Sequence, residues 1–204
     1  MDAPTRPYRP GLEVRASEFT ILDTTRTIPT IVTYLATESR PSAHAPPRPL
    51  LKTAIMRCHD VPIHFYRYLY NTIGEPYLWL ERRRWTDEKL AELIADPSVM
   101  LYVLYIEGVP AGMSELDFRV DGIGQIAFFG LMPEFTGRRI GPWFLHQTLE
   151  VAWAEPINEV QVETCTLDHR KALSTYQRAG FEPYARSEKT ISVPEGISLP
   201  PHMA

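Results

Sequence analysis

The sequence predicts an α/β domain with a mixed, mostly antiparallel central sheet flanked by helices. Three observations carry that expectation. Three apolar runs between Val99 and Leu131 are separated only by short turns, which reads as a β-meander. Segments of helical periodicity lie both before and after the meander. The chain has 204 residues, 44% hydrophobic and 23% charged, enough for one real core without a disulfide scaffold.

Proline marks the limits of the compact unit. Eight of the 19 prolines lie in residues 1–50 and four in 183–204. The seven in 51–182 are close to the ordinary frequency of about 5%. An extended N-terminal segment is expected over residues 1–29, a compact domain over 30–193 and a C-terminal tail over 194–204. Residues 12–16 alternate and are a candidate extra edge strand. Residues 31–35 are β-branched and aromatic, so a strand. Residues 41–50 read as a semi-rigid loop, because each proline fixes its φ and restricts its predecessor.

Asp60 is expected to cap a first helix with Pro62 in its first turn. Phe65, Tyr66, Leu69, Tyr70 and Ile73 then share one face, and Gly74 ends it. Thr86 caps a second helix, with Asp87 and Glu88 in its first turn and Leu90, Leu93 and Ile94 inward. Residues 99–106, 111–120 and 125–131 are the meander strands, with turns at 107–110 and 121–124. A helix follows over about 139–154, with Ile140, Trp143, Phe144 and Val151 on its inner face. Residues 159–165 alternate as a strand. Residues 169–179 are a helix closed by Gly180, and 181–193 supply one or two closing strands.

Composition excludes some functions. A net charge of −4 argues against a general nucleic-acid binder, though not against a local basic pocket. Cys58 and Cys165, 107 positions apart, form neither a metal-type pair nor a disulfide framework. A reduced, cytoplasmic setting is the simplest reading. The polar stretch over residues 1–11 holds three prolines and is not a signal peptide. The apolar stretches fall far short of the ~20 residues that span a membrane. Neither nucleic acid nor a membrane is therefore expected as a partner. His59 and His64 are not at the i, i+4 spacing of a helical metal pair, and no metal is expected.

The segment Leu131-Met-Pro-Glu-Phe-Thr-Gly-Arg-Arg-Ile-Gly-Pro-Trp143 joins a buried strand to a helix. Gly137 and Gly141 permit close backbone approach, and the helix start offers unpaired N–H groups and positive dipole character. This is an anion cradle suited to phosphate or pyrophosphate. It is not a Walker A loop, since no Gly-Lys-Ser/Thr follows, and it opens no βαβ unit. A second segment, Asp168-His-Arg-Lys-Ala-Leu-Ser-Thr-Tyr-Gln-Arg-Ala-Gly-Phe181, starts 27 residues after Gly141.

Together the two segments resemble the GCN5-related N-acetyltransferase (GNAT) superfamily. Its phosphate loop reads Gln/Arg-x-x-Gly-x-Gly/Ala, and its last helix Asn-x-x-Ala-x-x-x-Tyr-x-x-x-Gly-Phe. Ala172, Tyr176, Gly180 and Phe181 match that helix in register, and Leu131-Met-Pro133 resembles the Val-x-Pro that ends the fourth strand. This sequence departs at Thr136, Arg139, Pro142 and His169, which gives a cradle with fewer glycines and more positive charge. Arg138 and Arg139 are candidates to offset the N–H lost at Pro142.

The resemblance implies a GNAT-like fold, acetyl-CoA as co-substrate and acetyl transfer to the amine of a small molecule or peptide. Leu131, Gly137, Arg138, Arg139, Ile140, Gly141 and His169 would hold CoA. Tyr176 would protonate the departing thiolate. The chemistry needs a deprotonated amine, a stabilised carbonyl oxygen and a protonated leaving group, but no protein nucleophile. Glu115, sharing a strand face with Asp117, is the candidate base, with a water chain as the alternative. The run Glu81-Arg-Arg-Arg84 reads as a solvated face, or as a grip on the adenosine 3′-phosphate or an acidic acceptor. The aromatic stretch from Tyr66 to Trp85 reads mostly as core, with an aromatic-lined acceptor pocket as the second reading. A non-catalytic acyl-CoA-binding module, another acyl-CoA and a hydroxyl acceptor stay open, as does a homodimer.

Overall fold

The computed structural model describes residues 25–41, 45–195, 197 and 199. The candidate strand at 12–16 lies outside them. Seven strands form one sheet: β1 Thr25–Thr37, β2 Thr53–Cys58, β3 Val99–Ile106, β4 Val109–Asp117, β5 Ile123–Leu131, β6 Glu159–Cys165 and β7 Glu182–Pro194. Among the described residues four α-helices accompany them: α1 Ile63–Gly74, α2 Asp87–Ala95, α3 Ile140–Ala152 and α4 Ala172–Arg178. The strand order is β2-β3-β4-β5-β6-β1-β7. Every neighbouring pair is antiparallel except β5 and β6, which run parallel across the α3 crossover.

Strand alternation sorts the core into two layers. Met100, Leu116, Ile126 and Val162 face Leu145, Leu149 and Trp153 of the α3 segment and Tyr176 of α4. Leu101, Val103 and Met113 face Tyr66, Leu69, Tyr70 and Ile73 of α1 and Leu90 of α2. The sheet is thus sandwiched between two helix pairs. Glu107 and Gly108, both at positive φ, make the two-residue turn between β3 and β4, the conformation that a tight hairpin demands.

Several local expectations change. Asp60 does not cap α1; it sits at φ 49, and Pro62 is the N-cap residue, its carbonyl accepting from the Phe65 and Tyr66 amides. Thr86 does cap α2, its hydroxyl accepting from the Lys89 N–H at 3.3 Å. β2 was not foreseen. Among the described residues it is an edge strand paired with β3 alone, and its sequence carries no clean alternation. α4 is shorter than expected, because His169 to Lys171 form a turn ahead of it. Its end is a Schellman motif: Phe181 N–H bonds the Tyr176 carbonyl and Gly180 N–H the Gln177 carbonyl, with Gly180 at φ 97. Among the described residues no helix is long and apolar enough to cross a membrane, and no group of three His, Cys, Asp or Glu is placed to hold a metal.

Candidate active site

β5 and β6 are paired only from Ile123/Glu159 to Ile126/Val162, yet both strands continue. Past that point they diverge. The register between β4 and β5 also slips there, leaving Ala127 as an extra residue between Ile126 and Phe128. The far half of β5 therefore keeps β4 on one side and presents an unpaired backbone edge on the other. The gap is the wall of a cavity of about 710 Å³.

At one end of this cavity stands the start of α3. Arg139, its N-cap residue, has left-handed backbone (φ 61) and makes no side-chain cap, and no acidic residue occupies the first turn. The first N–H groups of the helix are therefore uncapped, and Gly137, Arg139, Ile140 and Gly141 all line the cavity. A Cβ at Gly141 would meet only the Leu131 side chain, at 3.8 Å, so no neighbouring atom demands glycine there. Arg170, Lys171 and Arg178 add positive charge along the same wall. Arg138 does not line the cavity; its guanidinium lies 5.3 Å over the Phe135 ring. Leu131 and His169 also line it.

Tyr176 also lines the cavity and is 8% exposed. Its ring is fixed edge-on between Phe181 (5.8 Å) and Phe129 (6.5 Å). Its hydroxyl makes no hydrogen bond among the described residues. Burial, helped by the Asp168 carboxylate, raises its pKa, so the phenol keeps its proton at neutral pH. Asp168 itself is committed to the turn, accepting from Thr164 Oγ1 (2.7 Å) and Cys165 N–H (2.8 Å).

Glu115 is placed differently from the expectation. It is fully buried, faces neither solvent nor the cavity, and accepts from Tyr66 Oη (2.5 Å) and Arg82 Nη2 (2.7 Å). Burial raises its pKa against the pull of Arg82 and the Tyr66 hydroxyl. Arg82 is in turn sandwiched between Trp85 (4.7 Å) and Phe128 (4.9 Å). The run from Glu81 to Arg84 is a solvated face only in part: Glu81 and Arg84 are exposed, Arg82 is buried, and none of the four lines the cavity. Arg82 is a buried ion-pair partner, Arg83 holds the Asn71 carbonyl, and Arg84 holds the Ser192 carbonyl.

Of the aromatic stretch, Tyr66 and Tyr70 are core, Tyr68 is exposed, and Tyr77 and Trp79 line the cavity beside Phe128. A residue that the sequence did not single out is Glu163 of β6. It lines the cavity where the strands part, across from Lys189 of β7. The signal was its place at the C-terminal end of the strand before Asp168, on the same face as Cys165.

Residues 66–181, more than half of the chain, match the model of the Acetyltransferase (GNAT) family. The chain belongs to that family. The GNAT fold is also seen in solved structures that it resembles. A protein of Novosphingobium aromaticivorans assigned to the GNAT family shares 14% identity at a TM-score of 0.57, over 84% of this chain and 68% of its own. A GCN5-related N-acetyltransferase of Kribbella flavida shares 14% at 0.54, over 81% and 59%. Another, from Sphaerobacter thermophilus, shares 22% at 0.52, over 86% and 55%. This GNAT chain thus spans between 55% and 68% of the length of these three proteins. No curated protein matches it in sequence.

Proposed function

We propose that this GNAT protein is an acetyl-CoA-dependent N-acetyltransferase that moves acetyl directly to the amine of a small molecule or peptide. The cavity opened by the divergence of β5 and β6 carries the reading. It joins an uncapped helix start, an unpaired strand edge and a buried phenol with a free hydroxyl.

The residues fit CoA at each point. The bare backbone of Gly137 and Gly141 and the uncapped N–H groups of α3 suit a pyrophosphate. Arg139, Arg170, Lys171 and Arg178 supply the positive charge that phosphates need. The open edge of β5 from Ala127 to Leu131 suits the amides of an extended pantetheine arm, as an added strand would pair. Acetyl-CoA would supply the activated acyl group.

The chain's own groups do the rest. Backbone N–H groups at the β5 edge orient and stabilise a carbonyl oxygen. Tyr176 gives a proton to the departing sulfur. Tyr77, Trp79 and Phe128 offer an aromatic wall for an apolar or aromatic amine. Cys165 is the one thiol lining the cavity among the described residues, and burial raises its pKa far above neutrality, which disfavours an acyl-cysteine route. Both cysteines are free, in keeping with the cytoplasmic setting proposed here.

Release of CoA thiol from acetyl-CoA, followed across a panel of aliphatic and aromatic amines, tests the reading. Release that depends on at least one amine is expected. Tight binding of acetyl-CoA with no release to any amine would make the protein a binding module instead.

A further inference from the structure

We infer that Glu163 is the group that binds the acceptor's ammonium and removes its proton, so that the acceptor is a protonated amine on an apolar or aromatic body. This rests on the acetyltransferase reading above and assigns its base.

The argument is one of place and availability. Two carboxylates line the cavity among the described residues, Glu163 and Asp168. Asp168 already accepts two hydrogen bonds within its turn. Glu115 is sealed in the core with Arg82 and Tyr66. Glu163 makes no hydrogen bond or ion pair among the described residues, and its side chain is open to the cavity. It stands on β6 just past Val162, where the parallel pairing ends and the β5 edge becomes free. An amine held there faces the strand edge that would present the thioester. Tyr77, Trp79 and Phe128 flank the space for its apolar body.

The charges around Glu163 come from three neighbours. Lys189 of β7 favours its ionised form; Glu81, from the segment after α1, and Asp168 disfavour it. Partial desolvation by the cavity walls around this accessible side chain is the largest influence and also disfavours ionisation, which moves the carboxyl upward from the ordinary glutamate range. That brings it nearer to the amine it must deprotonate. Lys189 is itself kept protonated: burial opposes its charge, but the Tyr34 hydroxyl and the Glu163 and Glu81 carboxylates outweigh that. Its ammonium sits 5.6 Å over the Tyr34 ring. A second cationic group on the acceptor would meet this fixed positive charge, which favours monoamines.

The proton balance closes. The ammonium loses one proton to Glu163 and its nitrogen forms a bond to the carbonyl carbon. The C–S bond then breaks as Tyr176 protonates sulfur. A second proton leaves the nitrogen and restores Tyr176 through water, and the proton on Glu163 passes to solvent.

The test compares wild type, Glu163→Gln and Glu163→Asp with acetyl-CoA and three monoamine probes, 2-phenylethylamine, tryptamine and hexylamine, from pH 6 to 9.5. Melting temperature and acetyl-CoA affinity are measured on each. For Glu163→Gln we expect kcat/KM for the amine to fall about 10²-fold at pH 7, with affinity and melting temperature unchanged. The deficit should shrink as pH rises and the amine loses its proton unaided. Glu163→Asp should recover part of the rate. A wild type that acetylates these amines while Glu163→Gln does so equally well at every pH overturns the assignment and leaves the acetyltransferase reading intact. A wild type that acetylates other amines of the broad panel but none of these three overturns the inference alone, and one that binds acetyl-CoA yet acetylates no amine at all overturns the acetyltransferase reading with it.

Discussion

Replacing Tyr176 with phenylalanine removes one hydroxyl and leaves the ring between Phe129 and Phe181. Because that hydroxyl bonds to no other described residue, stability should hardly change. If it protonates the leaving sulfur, kcat falls by at least about tenfold while acetyl-CoA affinity stays near wild type. Steady-state rates and a melting curve on the same variant decide it. Residues of this kind differ sharply in how far the sequence reveals them. Tyr176 stands out in the sequence through the resemblance of Ala172, Tyr176, Gly180 and Phe181 to the family's last helix, and the structure adds its place on the cavity wall. Glu115 was misplaced because alternation tells which side of a strand a residue takes, not what lies across from it. The answer there was Arg82, whose flanking rings come from Trp85 and Phe128, far apart in the chain. Glu163 went unnoticed for the same reason: only the parting of two strands gives it a cavity to face.

At the scale of the element, α3 and its approach loop make a prediction about two adjacent arginines. Arg139 lines the cavity and Arg138 does not. Arg139→Asn keeps a residue that tolerates left-handed backbone and deletes the charge. Titrations should show acetyl-CoA affinity falling two- to tenfold, roughly, with a shallower salt dependence, because the contact is exposed and screened. Arg138→Ala should bind as wild type does. A second prediction concerns the end of α1. A Cβ at Gly74 would lie 2.4 Å from the Trp79 Cβ, and Trp79 packs on Tyr70 and Phe128. Gly74→Ala sets a helix-propensity gain of about 1 kcal/mol against overpacking worth roughly 1–3 kcal/mol. Overpacking should win. The melting temperature drops, and KM for the amine rises because Trp79 moves, while acetyl-CoA affinity holds.

Helices and meander strands could be read from periodicity, since each buries a continuous face. β2 could not, because its pairing with β3, not its own residues, makes it a strand. Nor could the first residue of α1, where Pro62 supplies the cap through its backbone carbonyl rather than through a side chain the sequence displays.

For the whole molecule, the expected signature is stabilisation by ligand. A ligand that binds only the folded chain adds about 2.7 kcal/mol at a hundredfold excess over Kd. For a chain of this size that raises the melting temperature by roughly 5–10 °C. A thermal shift with millimolar acetyl-CoA checks it, and an unmoved transition would remove the central claim. The order of the sheet was legible only in part. The run of antiparallel neighbours from β3 to β5 follows from short turns, but the seat of β1 between β6 and β7 is a long-range pairing that no local pattern encodes.

The partial pairing of β5 with β6 also has a mechanical meaning. Only four residue pairs stitch the two halves of the sheet to each other, β2 to β5 on one side and β6, β1 and β7 on the other. Across that short seam the two halves are joined chiefly by the side chains they share with α3 and α4 on one face. A guest lying along the open edge of β5 would act as a splint across it. It would add backbone contacts between the half that carries Glu163 and Lys189 and the half that carries the β5 edge, where the strands themselves make none.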